Sequence, residues 1–179
     1  MLIAYMDHDL NVIGALALVL GDRIRDATEE ASGMRGALPA ALSALHEWAG
    51  GRTIETLAGG LRLSHSRTVR VVDRLEQKGL ARRAPDPADG RGVLVHLTPA
   101  GRRLGRRVLD ARAVALDQAV AEAERRELAP IAERLLGRAT TGRRAAGAIC
   151  RLCDADACGH HDGRCPVTRA ADAAESARA

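Results

Sequence analysis

Four cysteines, the only ones in the chain, lie within residues 150–165. They are Cys150, Cys153, Cys158 and Cys165. The spacing Cys-x2-Cys-x4-Cys-x6-Cys places four thiols in one short loop, and four thiolates complete a tetrahedral shell around zinc. In a reducing compartment such a cluster indicates a metal more than disulfides. We therefore predict that all four cysteines bind a metal ion.

Two kinds of metal centre fit this spacing. The first half of the cluster has the spacing of a zinc knuckle, and His160 or His161 is an alternative ligand. The dipeptide Cys165-Pro166 is instead typical of ferredoxin-type iron–sulfur ligation. Zinc is the predicted cofactor and would stabilise a loop that buries little apolar surface. An iron–sulfur cluster is the alternative and would make the loop a redox sensor. Incidental disulfides or free thiols are the third interpretation.

A second group of residues, from Ser64 to Arg70, fits the chemistry of DNA recognition. Ser64 is a predicted helix N-cap, and Arg67 and Arg70 can each pair with guanine through two hydrogen bonds. Val69 can contact a thymine methyl group, while Ser64 and Ser66 can donate to phosphates. The stripe predicted to face the core consists of Thr68, Val71, Val72 and Leu75. The alternative is a surface helix whose arginines only keep it soluble.

The charge of the chain is unevenly distributed. The formal net charge is +4, but residues 62–107 contain 12 Lys/Arg against 4 Asp/Glu, which leaves 15 against 19 elsewhere. A basic segment between acidic ones predicts a module that binds a polyanion. Phe is absent and aromatics make up 1% of the chain, so aliphatic residues and Ala must build a helical core. The four cysteines would fill a zinc shell that catalysis needs open, so an enzyme is not predicted; a small metalloenzyme is the alternative if one cysteine is not a ligand and Asp154 or His160 serves.

Hydrophobic periodicity predicts a mainly α fold that positions these residues. Thr53, Ser64 and Thr98 are predicted N-caps, and the Pro/Gly-rich loop between two short strands is a predicted hairpin tip. The tail beyond Val167 is predicted to be disordered, because it offers little to bury. Helices are predicted at about 9–31, 38–49, 54–60, 64–78, from 98 onward, 128–139 and 143–152, and strands at 80–84 and 93–97.

Several motifs between residues 53 and 101 occur together. They are Thr53-Ile54-Glu55-Thr56-Leu57-Ala58, Leu63-Ser64-His65-Ser66, Val71-Val72-Asp73-Arg74-Leu75-Glu76-Gln77-Lys78-Gly79-Leu80, Arg82-Arg83, Pro85-Asp86-Pro87-Ala88-Asp89-Gly90-Arg91 and Leu97-Thr98-Pro99-Ala100-Gly101. In these motifs the segment resembles the MarR family of bacterial winged-helix regulators. A weaker match in helix order extends over about residues 9–140 and does not include the cysteines.

This resemblance implies a transcriptional regulator, usually a repressor, that binds a pseudo-palindromic double-stranded DNA operator as an obligate homodimer. It implies that the major groove is read by Ser64, Ser66, Arg67 and Arg70. It also implies that Arg91 enters the minor groove, steadied by Asp89, although Gly90 stands where the family often has a second arginine. A small-molecule effector is implied between the dimerisation region and the winged helix.

Together these inferences divide the chain into five segments. Neither a signal peptide nor a membrane-spanning apolar run is recognised, so a cytoplasmic protein without a membrane partner is predicted. The segments are an N-terminal dimerisation helix (1–36), a winged helix-turn-helix domain (37–101), C-terminal dimerisation helices (102–149), a four-cysteine metal loop (150–166) and a disordered tail (167–179).

Overall fold

A computed structural model describes residues 7–89 and 92–177, and within them the fold is mainly helical around a winged helix-turn-helix, as predicted. A short 3-10 helix (Cys150–Leu152) lies in the segment that carries the cysteines. Within the described ranges, no helix is both long and apolar enough to cross a membrane. The elements are α1 (His8–Ser32), α2 (Leu38–Glu47), β1 (Arg52–Thr53), α3 (Ile54–Leu61), α4 (His65–Gln77), β2 (Ala81–Pro85), β3 (Val93–Leu97), α5 (Pro99–Ala119), α6 (Glu122–Ala139), α7 (Arg143–Ile149) and α8 (Pro166–Ser176).

The wing is an antiparallel hairpin of β2 and β3 within a small sheet of order β1-β3-β2. Its register pairs Ala81 with Leu97 and Pro85 with Val93. The loop between the strands is narrowed where the Asp86 N–H donates to the Gly92 carbonyl at 2.9 Å. β1 was not predicted, because two residues show no periodicity and pair only with the distant β3.

The three predicted N-caps are confirmed. The hydroxyls of Thr53, Ser64 and Thr98 accept hydrogen bonds from backbone N–H groups three residues later, at 3.3, 3.4 and 3.1 Å. Each bond satisfies one of the N–H groups that a helix start leaves without a partner. Thr98 also donates its hydroxyl to the Gly79 carbonyl at 2.7 Å, which fixes the start of α5 beside the end of α4.

The core lies between α2, α3, α4 and the sheet. Leu42, Leu57 and Val95 are fully or almost fully buried there. The predicted inward stripe of α4 is confirmed, because Thr68, Val72 and Leu75 are fully buried and Val71 packs against the same cluster. The stripe orients α4 so that its opposite face is exposed.

The prediction of a disordered tail is wrong, because the chain continues as the helix α8. Val167 and Ala171, four residues apart on one face of this helix, are buried against α6 and α7. Arg143 of α7 also pairs with Asp172 and Glu175 of α8. Two apolar residues at helical spacing, in an Ala-rich segment, are therefore enough to dock it.

Replacing Gly101 with alanine is expected to destabilise the fold by about 1–3 kcal/mol, the usual cost of overpacking. A Cβ at this position would lie 1.9 Å from the Leu80 carbonyl oxygen, which is backbone and has little freedom to move. The matched control is Gly137→Ala in α6, where a Cβ meets nothing within 4 Å and a gain of up to about 1 kcal/mol is expected. Urea denaturation measures both free energies of unfolding, and equal values for the two variants would contradict the prediction.

Candidate nucleic-acid interface and cysteine cluster

The N-terminal half of α4 brings together the residues predicted to read the major groove. Ser64, Ser66, Arg67 and Arg70 are exposed, and Val69 is half-buried beside them. Within the described ranges neither arginine makes an ion pair, so both guanidinium groups are available to a ligand. The exposed face thus carries cations and hydroxyls, while the opposite face packs in the core.

An ion-pair network, which the sequence did not predict, connects the wing to α4. The guanidinium of Arg83 on β2 donates to Asp73 at 2.8 Å and also pairs with Glu76. The Arg83 backbone N–H donates to the same Glu76 carboxylate at 2.7 Å. The sequence feature that could have indicated this network is the pair of carboxylates Asp73 and Glu76, three residues apart on α4, followed by Arg83 on the next strand. This network holds the wing at a defined angle to the recognition helix.

The tip of the wing is only partly described. Asp89 is exposed there, and its carbonyl accepts a hydrogen bond from the Gly92 N–H at 2.7 Å. Arg91 and Gly90 lie outside the described residues. The insertion of Arg91 into the minor groove, with Asp89 steadying it, therefore stays a prediction.

All four cysteines line one cavity of about 610 Å³ between α2, α7 and α8. They are free thiols; Cys165 is buried and the other three are half-buried. Among the residues that the structure describes, no three His, Cys, Asp or Glu side chains are close enough together to hold a metal ion. The pKa values of the thiols are linked chiefly within two pairs, Cys150 with Cys153 and Cys158 with Cys165, and charge interactions also link Cys150 to Cys158 and Cys165. The predicted ligands thus share one cavity without forming a coordination shell.

The two histidines proposed as alternative ligands differ in position. His160 lines the cavity with the cysteines, and its Nδ1 atom lies 2.8 Å from the hydroxyl of Thr168. His161 is exposed beside Asp156. His160 is therefore the better placed of the two as a substitute ligand.

The pairs differ in the acidity of their thiols. A hydrogen bond from Cys150 lowers the pKa of Cys153 to about 6; burial opposes this effect and Arg112 adds to it. The same hydrogen bond raises the pKa of Cys150. Burial raises the pKa of Cys158 to about 11. Burial also acts against ionisation of Cys165, but hydrogen bonds from Thr168 and Val167 at the start of α8 bring its pKa below the ordinary value.

The loop that carries the cysteines is attached to the winged-helix domain by polar contacts. The Ala155 N–H donates to the carboxylate of Glu47, at the end of α2, at 2.6 Å. Asp154 pairs with Arg106 of α5 at 2.9 Å. The pKa of Asp154 is lowered, first by the Ala157 N–H and also by Arg106, so the carboxylate stays ionised and paired over a wider pH range.

Helix α7, which leads into the cysteines, packs directly against α3. A Cβ on Gly60 of α3 would lie 2.3 Å from the Trp48 ring, and a Cβ on Gly147 of α7 would lie 3.5 Å from the Gly60 Cα. The two backbones therefore meet through glycines beside the indole of Trp48. Residues 143–149 were grouped with the dimerisation helices, but they contact the helix-turn-helix.

Comparison with known proteins places this architecture in context. The model of the MarR family matches residues 33–92. The chain is 40% identical over 63 residues to YsmB, an HTH-type transcriptional regulator of Bacillus subtilis (strain 168), and the match spans 35% of this chain and 43% of that relative.

Solved structures give longer matches. A probable transcriptional regulator from Pseudomonas aeruginosa is 30% identical, with a TM-score of 0.55 over 69% of this chain and 96% of that one. A MarR-family transcriptional regulator from Rhodococcus sp. RHA1 is 26% identical, with a TM-score of 0.59 over 71% of this chain and 91% of that one.

In protein freed of metal and kept reduced, we expect iodoacetamide at pH 7 to label the Cys150–Cys153 pair before Cys158. The thiolate is the nucleophile, and the pKa of Cys153 is about 6 whereas that of Cys158 is about 11. Labelling of the pair should slow as the pH falls through 6. Mass spectrometry of the labelled peptides measures the order, and the Cys153→Ser variant should lose the fast phase. Faster labelling of Cys158 would contradict the assignment.

Proposed function

Because the chain belongs to the MarR family of transcriptional regulators, we propose that it binds a pseudo-palindromic DNA operator sequence-specifically as a homodimer. The observation that carries the proposal is the exposed face of α4, where Arg67 and Arg70 make no ion pair with any described residue and lie beside Ser64 and Ser66. A helix of this kind fits the major groove, and the adjoining wing reaches the neighbouring minor groove. Base-edge contacts from the arginines supply specificity, while the serines bind phosphates.

The homodimer is supported by apolar side chains that the single chain leaves exposed. On α1 these include Leu10 and Ile13, which are 61% and 60% exposed, and on α6 they include Ile131 and Leu135. Contiguous apolar faces of this kind mark protein interfaces. A two-fold dimer through α1 and α6 would present two copies of α4 to half-sites one helical turn apart. Sedimentation velocity at micromolar concentration measures the oligomeric state.

We propose that the protein acts in the cytoplasm. We also propose that it is a repressor, because an operator-bound dimer at a promoter blocks access of the polymerase. A promoter fusion tests the sign of regulation, since loss of a repressor raises transcription.

For the effector, a cavity of about 520 Å³ lies between α1, α2 and the 3-10 helix. Arg25, Arg112 and Arg151 line it together with Asp22 and Glu29; because Arg25 pairs with Asp22, an anionic group of a small molecule would be held by Arg112 and Arg151. Release of operator DNA by such a compound is the corresponding measurement.

We further propose that the four cysteines bind zinc, which would act as a tetrahedral crosslink within the loop. The support is the donor chemistry, because thiolates are preferred zinc ligands and both pairs border one cavity. Cys150 and Cys153 would form one side of the shell, and Cys158 and Cys165 the other. The loop would then join α7 to α8 rigidly, in addition to its contacts with Glu47 and Arg106.

A second candidate role is sensing, either by an iron–sulfur cluster on the same cysteines or by exchange of the metal. The observation that favours it is the packing of α7 on α3, since Cys150 follows Gly147 by less than one helical turn. A change at the cysteines would reach the helix-turn-helix through this contact. The absorption spectrum and metal content of protein purified without oxygen separate the two centres, because an iron–sulfur protein is brown and contains sulfide.

Arg67→Ala and Arg70→Ala should each weaken binding to the best operator by about 1–3 kcal/mol and relax its sequence preference. Each removes a side chain that would read a base edge and leaves the buried face of α4 intact. The control is Arg126→Ala on α6, an exposed arginine paired with Glu122 far along the chain from the winged helix. Fluorescence anisotropy with operator variants measures the effect. A uniform loss across all sequences would make that arginine a phosphate contact instead.

Each Cys→Ser substitution at the four positions should remove most of the bound metal, because a tetrathiolate shell needs every ligand. His160→Ala and His161→Ala should retain it. Elemental analysis measures the metal per chain, and an essential histidine with a dispensable cysteine would establish a Cys3His shell. Chelation then separates the roles. Removal of a structural zinc lowers the melting temperature, whereas removal of a sensing centre changes operator affinity by roughly 1–3 kcal/mol in a protein that stays folded.

A further inference from the structure

We propose that a basic groove formed by Arg62, Arg144 and Arg151 binds DNA phosphates beside the recognition helix α4. This inference rests on the proposed operator binding and extends its surface beyond the winged helix. Arg62 follows α3, Arg144 lies on α7 and Arg151 lies in the 3-10 helix. Two of the three arginines thus come from a part of the chain outside the predicted DNA-binding residues.

The groove has the charge of an anion site. It measures about 630 Å³ and lies between the end of α3 and α7, and none of its described lining residues is acidic. All three arginines are exposed, and Arg62 and Arg144 make no ion pair within the described ranges. By contrast the neighbouring Arg143 is neutralised by Asp172 and Glu175.

The positions of the arginines are fixed by the fold. The Arg144 side chain lies over α3 at Gly59, where a Cβ would come within 3.5 Å of its Cγ. Because Gly59 has no side chain, the stem of Arg144 rests on the helix and its guanidinium is held at the groove. The Arg151 guanidinium donates to the Ala148 carbonyl at the far end of the groove.

Arg62 occupies a backbone conformation that does not suit it. Its φ and ψ of 54° and 40° lie in the left-handed region, and among the described residues it is the only non-glycine with a positive φ. Glycine adopts this conformation without strain and is the usual residue after a helix. No ion pair with a described residue compensates for the strained conformation of Arg62. A strained residue of this kind points to a functional use of its side chain.

The location of the groove identifies its ligand as the DNA backbone. Arg62 and Leu63 line the groove and lead directly into the N-cap Ser64, so the groove lies near the N-terminal end of α4, where the exposed hydroxyls and arginines begin. Guanidinium groups bind phosphate through paired hydrogen bonds. Phosphates on either side of the bases read by α4 are the anions that this position would meet. Such contacts add affinity without sequence preference.

The salt dependence of operator affinity tests the proposal. Arg62→Gly and Arg144→Ala should each lower the slope of log K against log salt by about one, because each removes a phosphate contact. Affinity for the operator and for random duplex DNA should fall by the same factor. Arg126→Ala is the matched control and should leave the slope unchanged. Arg62→Gly should also keep or raise the melting temperature, so a loss of affinity cannot come from unfolding.

The outcomes separate this proposal from the proposed function. A wild-type protein that binds no duplex DNA specifically would overturn operator binding itself. A wild-type protein that binds its operator, with both variants at the wild-type slope, would overturn the groove alone. A variant that changes sequence preference at an unchanged slope would also overturn it, because the arginine would then act through the bases or through α4. A duplex trimmed to the two half-sites should give the wild-type protein a smaller slope, because the flanking phosphates are missing. An unchanged slope on the trimmed duplex would also overturn the groove.

Discussion

The contact on which the arrangement depends is the close approach of α3 and α7 beside Trp48. It exists because Gly60 and Gly147 have no side chains, so the two helix backbones meet with the indole packed against them. Through this contact the C-terminal segment packs on the helix-turn-helix, in addition to the packing of α2 on α3 and α4. The polar contacts of Glu47 with Ala155 and of Arg106 with Asp154 then hold the cysteine loop on the same body.

The recognition surface depends on the rotation of α4 about its own axis. Burial of Thr68, Val72 and Leu75 fixes its rotation, and the same rotation exposes Arg67 and Arg70. The wing is held to this helix by Arg83 rather than by apolar packing alone. The angle between the two DNA-facing elements is therefore set by charge-assisted hydrogen bonds, which are strongly directional.

What the sequence predicted was local in the chain. The N-caps, the stripe of α4 and the β2–β3 hairpin all depend on residues a few positions apart, and the structure confirms them. The contacts that were missed join distant segments, such as Glu47 with Ala155, which are 108 positions apart. Composition also concealed α8, because two buried residues on an Ala-rich helix resemble a polar tail. The cysteines were predicted as one group, and the different pKa shifts of the four thiols depend on the folded loop.

The scarcity of aromatic residues gives Trp48 a further importance. It is the only tryptophan in the chain, and it borders α3, α7 and the cavity of the thiols at once. Its fluorescence therefore originates from a single known place in the molecule, with no label and no competing indole. Emission intensity and wavelength report directly on whether the C-terminal segment is seated against the helix-turn-helix. The protein carries its own optical probe at the junction between its cysteines and its DNA-reading head.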